Sequence, residues 1–121
     1  MKICISAESD KLDAKVDARF GRSGYFIFIN TENDEFEAIK NPNEETAGGA
    51  GIQAGQLMDT HGVGVVLTGN VGPNAFSTLQ AAGIKIVTGV SGTVKEALEN
   101  YQSGKYEDTK EPSVDSKFGV N

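Results

Sequence analysis

The chain contains one cysteine, Cys4, and one histidine, His61, in 121 residues. A lone thiol excludes an intrachain disulfide and any all-cysteine metal site built from one copy, so zinc-finger and ferredoxin readings fall away. Basic residues are in the minority: Lys and Arg number 11 against 17 Asp and Glu, giving a net charge of -6 and a pI near 4.7. A general nucleic-acid or anionic-membrane surface is therefore not expected, and any anion has to be held by a local cluster rather than by the overall field. No apolar run is long enough to span a bilayer. Met1 leads straight into KICISA, with no room for a signal core and cleavage site, so a cytoplasmic location is expected. G-x-x-x-x-G-K-[ST] is absent, as is G-x-G-x-x-G after the first strand, which leaves a nucleotide site without its usual motif.

What is present is a regular alternation of apolar runs, with 38% hydrophobic residues, enough for one domain with a real core. In residues 2–7, Ile3 and Ile5 alternate with Lys2, Cys4 and Ser6, the period of a strand. Residues 25–29 are a continuous aromatic and β-branched run suited to a strand buried on both faces, and the more polar 36–40 suggest an edge strand closing a hairpin. From Gly51 the period becomes helical, with Ala54, Leu57, Met58 and His61 on one face and a stop at Gly62. A buried strand over 63–67 follows. Gly72 and Pro73 then open a second helix that closes at Gly83, and 84–87 form a fifth strand. Thr93 and Glu96 make a T-x-x-E capping box for a third helix, expected to fray near Ser103 and Gly104. The domain is read as residues 1–106, and 107–121 as a flexible C-terminal tail with at most Phe118 or Val120 docking.

The order β-β-β-α-β-α-β-α implies a mixed sheet with helices on both faces. If the first strand runs parallel to the fourth and fifth, its exit loop, the end of the third strand and three helix N-termini share one rim. That rim gathers VDARFGRSG, NPNEETAGGAG, TGNVGPN and TGVSGT, which hold nine of the 15 glycines and so mark where the chain turns most tightly. Helix N-termini present unpaired N–H groups and partial positive charge, and strand carboxyl ends in open α/β sheets are where ligands bind. Within VDARFGRSG, Arg19 and Arg22 offer forked cationic donors for an oxyanion or other multiply charged anion, while Gly21 allows close backbone approach. The plainer alternatives are a surface turn with two solvated arginines and glycines that merely serve strand-to-helix turns.

With these residues in view, the chain resembles the dinitrogenase iron-molybdenum cofactor biosynthesis accessory family, whose small stand-alone members include the molybdenum-copper orange protein. The resemblance covers roughly residues 2–106 and rests on Phe20, Gly21, Arg22, Tyr25 and Phe26, on the N-P-x(n)-G-G-A-G stretch of 41–51, and on G-N-V-G-P-N-A from 69 to 75. It implies a three-layer α/β/α ribonuclease-H-like fold with a mixed five-stranded sheet of order 3-2-1-4-5. It also implies a non-enzymatic carrier for an anionic metal-sulfur cofactor or precursor, an iron-molybdenum-sulfur cluster or thiometallate bound transiently, with cofactor donor and acceptor proteins as partners. Relatives that bind clusters often carry extra cysteines or histidines near the rim, and this chain has only Cys4 and His61.

The candidate cofactor-binding residues are therefore Arg19, Gly21 and Arg22, with Gly48, Gly49, Gly51, Gly69, Asn70, Gly72 and Asn74 supplying backbone N–H groups and side-chain amides. No metal ligand and no catalytic residue is assigned. Cys4 reads as a small buried hydrophobe. His61 falls at a helix C-terminus, away from the glycine-rich rim, where packing or capping suits it better than ligation. Asp10, Asp13 and Asp17 are a spaced carboxylate set of the type that binds a hard cation, but a solvated acidic loop is the favoured reading. A first strand without a central carboxylate argues against two-metal nuclease chemistry. The rival class is a nucleotide- or phosphate-binding regulator, or a phosphoryl-handling enzyme, using the same rim.

Overall fold

The computed structural model describes residues 1–45 and 48–114. Phe118 and Val120 lie outside the described residues. Five strands, β1 (Lys2–Ala7), β2 (Tyr25–Asn30), β3 (Phe36–Lys40), β4 (Val65–Leu67) and β5 (Lys85–Val87), form one sheet in the order β3-β2-β1-β4-β5. Strand β1 is central, antiparallel to β2 and parallel to β4, and β4 is parallel to β5. The expected mixed sheet of order 3-2-1-4-5 is the one observed. Three helices, α1 (Ala50–Thr60), α2 (Pro73–Ala81) and α3 (Val94–Gln102), complete an α/β/α sandwich.

The period of two in β1 separates the cores. Ile3 and Ile5, both fully buried, join Ile27, Val65 and Leu67 under α3, whereas Cys4 faces Phe28, Met58 and Leu79 under α1 and α2. Full burial of each such aliphatic side chain is worth about 1.5–3 kcal/mol, which is why the central strand must be apolar on both sides. β3, paired only to β2, has no fully buried residue and leaves Phe36 half-exposed, as an edge strand does. Helices α1 and α2 pack closely because α1 carries small residues on its contact side. A Cβ on Gly55 would stand 2.7 Å from Cγ2 of Thr78, and one on Gly51 would stand 3.2 Å from Cβ of Ala75.

The strands β4 and β5 start later than the apolar runs suggest, at Val65 rather than Val63 and at Lys85 rather than Ile84. Backbone amides explain both offsets. Val63 and Ile84 donate their N–H groups back to Met58 and Leu79, while Gly62 and Gly83, with φ of 69° and 75°, donate to Asp59 and Gln80. These are paired C-terminal caps that consume amides a ladder would need. The third helix ends at Gln102 with Ser103 as its cap, and Gly104 donates to Tyr101 and Lys105 to Asn100 in the same motif. Its start is the expected capping box, with Glu96 N–H donating to Thr93 Oγ1 at 3.1 Å and Thr93 N–H donating to Glu96 Oε1 at 2.9 Å. Among the described residues no helix is long and apolar enough to cross a membrane.

Candidate functional site

The long loop of residues 8–24 leaves β1 and returns to β2, and its geometry is set by buried polar groups. Ser6, fully buried, donates to the Asp17 carbonyl at 2.7 Å and shares a 2.6 Å hydrogen bond with Thr68 on the neighbouring chain segment. The Asp17 carboxylate then accepts the N–H of Arg19 at 3.0 Å through Oδ1 and that of Gly24 at 3.1 Å through Oδ2. Phe20, buried between these contacts, packs on Phe26 with ring centroids 5.6 Å apart. One carboxylate thus closes the turn, and one aromatic ring pins it to the sheet.

Asn41, at the end of β3, ties this loop to the next. Its side-chain amide donates to the carbonyls of Gly21 and Ser23 at 3.0 and 2.9 Å, and its Oδ1 accepts the Asn43 N–H at 2.9 Å. Arg22 Nη1 donates to the Glu44 carbonyl at 3.1 Å, linking the same two loops. On the other side Phe20 N–H donates to Asn70 O at 3.2 Å, within a parallel bridge between Arg19 and Asn70.

These links bring the arginine loop against the N-termini of α1 and α2 and enclose a cleft of about 290 Å³. Arg19, Gly21 and Arg22 form one side. Gly48, Gly49 and Gly51 supply the α1 side, and Asn70, Gly72 and Asn74 the α2 side. Nine of the ten residues picked from the sequence therefore surround one cavity. The exception is Gly69, where a Cβ would stand 2.6 Å from Ala18 Cα, so this glycine serves the contact between two loops. Gly21 serves both ends: it lines the cleft, and a Cβ there would come within 2.9 Å of Gly51 Cα.

The rim divides more sharply than its sequence implies. Only α1 and α2 point their N-termini into the cleft. The TGVSGT segment before α3 pairs instead with the first half of the loop, through Val16 N–H to Gly92 O at 2.9 Å and Val94 N–H to Ala14 O at 2.9 Å. α3 lies on the opposite face of the sheet, so its positive end opens elsewhere.

Among the described residues the cleft lining contains guanidinium groups, carboxamides, backbone amides and apolar atoms, and no carboxylate, thiol or imidazole. In a chain of net charge -6 that is a local reversal of sign. Arg19 is the partly balanced cation, its Nε 3.5 Å from Asp17 Oδ1, and its side chain remains 43% exposed, open to a ligand. Cys4 is fully buried in the sheet, and burial pushes its thiol well above the usual range. His61 caps α1 and stacks on Phe28, with centroids 4.4 Å apart and planes 8° apart. Asp17 is committed to the loop, and no group of three or more potential ligating side chains forms among the described residues.

Sequence patterns missed four contributors. Asn41 opens the N-P-x(n)-G-G-A-G stretch, but nothing in its neighbours marks its side chain as the link between two loops. Ala50 and Ala75, in the first turns of the two helices, line the cleft with small side chains. Val114, from the segment read as a tail, completes the wall.

Comparison with known proteins places this geometry. The model of the dinitrogenase iron-molybdenum cofactor family matches residues 1–104. The apo form of the orange protein from Desulfovibrio gigas is 37% identical, with a TM-score of 0.91 over 93% of this chain and 96% of that one. A Thermotoga protein of the DUF35 family is 33% identical, with a TM-score of 0.80 over 93% and 98%. An uncharacterised protein of Methanocaldococcus jannaschii is 27% identical over 110 residues, 88% of this chain and 90% of its own length.

Proposed function

The chain belongs to the dinitrogenase iron-molybdenum cofactor family, and from that premise we propose that it is a non-enzymatic carrier whose cleft takes an anionic metal-sulfur cluster or thiometallate as transient cargo. One observation carries the reading: two guanidinium groups and two helix N-termini converge on a single cavity that has no carboxylate in its lining among the described residues. Sulfido or oxo groups of the cargo accept hydrogen bonds from the arginines, the Asn70 and Asn74 amides and the backbone N–H groups. Because the lining has no thiolate or imidazole, the protein holds the outer atoms of the anion and leaves the metal's own ligands in place. Such a grip is strong enough to carry a cluster and loose enough to release it, the property a donor or acceptor protein in the cytoplasm requires.

Size and shape favour this cargo over a nucleotide. Small-molecule pockets run from roughly 300 to 1,000 Å³, and this cleft sits at the lower bound, fitting a compact anion. Its one aromatic residue among those described, Phe20, is buried against Phe26 and offers no face for a base.

Anaerobic purification followed by metal analysis and an absorption spectrum tests the proposal. Molybdenum, copper or iron retained together with sulfide is the expected result. A retained nucleotide with no metal overturns it in favour of a phosphate-binding regulator or phosphoryl-handling enzyme.

A further inference from the structure

The segment from Thr109 to Val114 follows the stretch matched by the family model, which ends at residue 104, and it makes specific contacts. Thr109 donates its N–H to Ile86 O at 2.6 Å, and its Oγ1 accepts the N–H of Thr88 at 2.9 Å. Four residues later Ser113 pairs with Val71 in both directions, its N–H donating to Val71 O at 3.0 Å and its Oγ accepting the Val71 N–H at 2.9 Å. The same hydroxyl lies 3.4 Å from Oδ1 of Asn70. The chain therefore crosses from the edge strand β5 to the loop after β4, and its next residue, Val114, stands in the wall of the cleft.

We propose that this segment is a clasp on the cleft, with Ser113 as a positioning residue that holds Asn70 and Gly72 in place through Val71 and so sets how long a bound anion stays. Val71 is 1% exposed, and the hydrogen bond its N–H makes in the structure goes to the Ser113 hydroxyl. Asn70 and Gly72, its two chain neighbours, both line the cleft. A displacement of Val71 therefore moves two cleft residues at once. Ser113 itself is exposed, so a change there reaches the cleft without disturbing either core. The effect on residence time rests on the anion-carrier reading of the cleft, whereas the hold on Val71 does not.

The test uses the full chain, tetrathiomolybdate as the probe, and two measurements: hydrogen exchange at the Val71 amide and the rate of probe release after competition. Ser113→Ala is expected to speed both by about three- to tenfold, the effect of losing one hydrogen bond. Ser113→Thr, which keeps the hydroxyl, restores both, and Ser103→Ala, at the end of α3, changes neither. Unchanged Val71 exchange in Ser113→Ala overturns the clasp, and faster exchange with unmoved release overturns its coupling to the cleft. If the wild-type chain binds no tetrathiomolybdate, the cargo reading fails separately. The Val71 amide then decides the clasp alone, faster exchange supporting it and unchanged exchange overturning it.

Discussion

Arg19 and Asp17 are locked together twice: the Asp17 carboxylate accepts the Arg19 backbone N–H at 3.0 Å and lies 3.5 Å from the Arg19 Nε. The acidic residue that opens the arginine loop thus shapes the turn and orients the guanidinium at its crest. With Oδ2 taken by the Gly24 N–H, the carboxylate is spent on the loop and its arginine rather than on a metal cation.

If the cleft binds its anion through charge-assisted hydrogen bonds, each arginine contributes about 1.5–3 kcal/mol. Arg19→Ala and Arg22→Ala should each weaken tetrathiomolybdate binding by roughly ten- to a hundredfold. His61→Ala, remote from the cleft, should leave the affinity unchanged. Titrations at two salt concentrations check this, and a selective loss in the histidine variant would point to direct ligation instead.

Asp17→Asn keeps the shape but replaces one acceptor oxygen with a donor, which then faces a backbone N–H. The expected cost is about 1–3 kcal/mol of stability, from a buried amide left without its partner. Urea unfolding reads it as a lower midpoint at unchanged slope.

Gly21 and Gly48 line the same cleft yet should respond differently to alanine. A Cβ on Gly21 meets Gly51 backbone atoms at 2.9 and 3.0 Å, whereas one on Gly48 meets nothing within 4 Å. Gly21→Ala is expected to destabilise by about 1–3 kcal/mol through forced separation of the loop from α1. Gly48→Ala should be close to neutral in thermal melts.

Burial raises the Cys4 thiol well above its ordinary value, so little thiolate forms at neutral pH. A thiol reagent should modify Cys4 in denaturant and not in the folded protein. Cys4→Ala should retain the probe, and loss of binding with an intact fold would reveal a metal-ligating role.

The Glu96 carboxyl is held below its usual range by the hydrogen bonds from Thr93, first the backbone N–H and then the side chain. A depressed carboxylate stabilises the fold above the unfolded-state value and loses that contribution as pH falls through the folded-state value. Protection of the α3 first-turn amides, taken against their intrinsic exchange rate at each pH, should therefore fall on acidification, and Glu96→Gln should flatten that response. An equal acid dependence in both proteins would remove the capping box as its source.

Local chemistry made much of this protein readable from its residues. The alternation of Ile3 and Ile5 with Cys4 depends on the pleat of one strand, the Thr93–Glu96 box on four consecutive residues, and the closures at Gly62 and Gly83 on single backbone angles. The gathering of Arg19, Gly49 and Asn70 at one rim followed from strand direction, because each helix that follows a parallel strand must begin at the same edge. Other features arise between distant residues. Gly69 packs against Ala18, Asn41 reaches back some twenty residues to hold Gly21, and Ser113 reaches the loop after β4. Which helices share the cleft was likewise decided in three dimensions. The small residues of α1 let it nest against α2 on one face, while α3 covers the other with Val94 and Ala97. Periodicity and capping are encoded within a few neighbouring residues, whereas the face a helix covers and the partner a polar side chain finds are set by packing the whole chain at once.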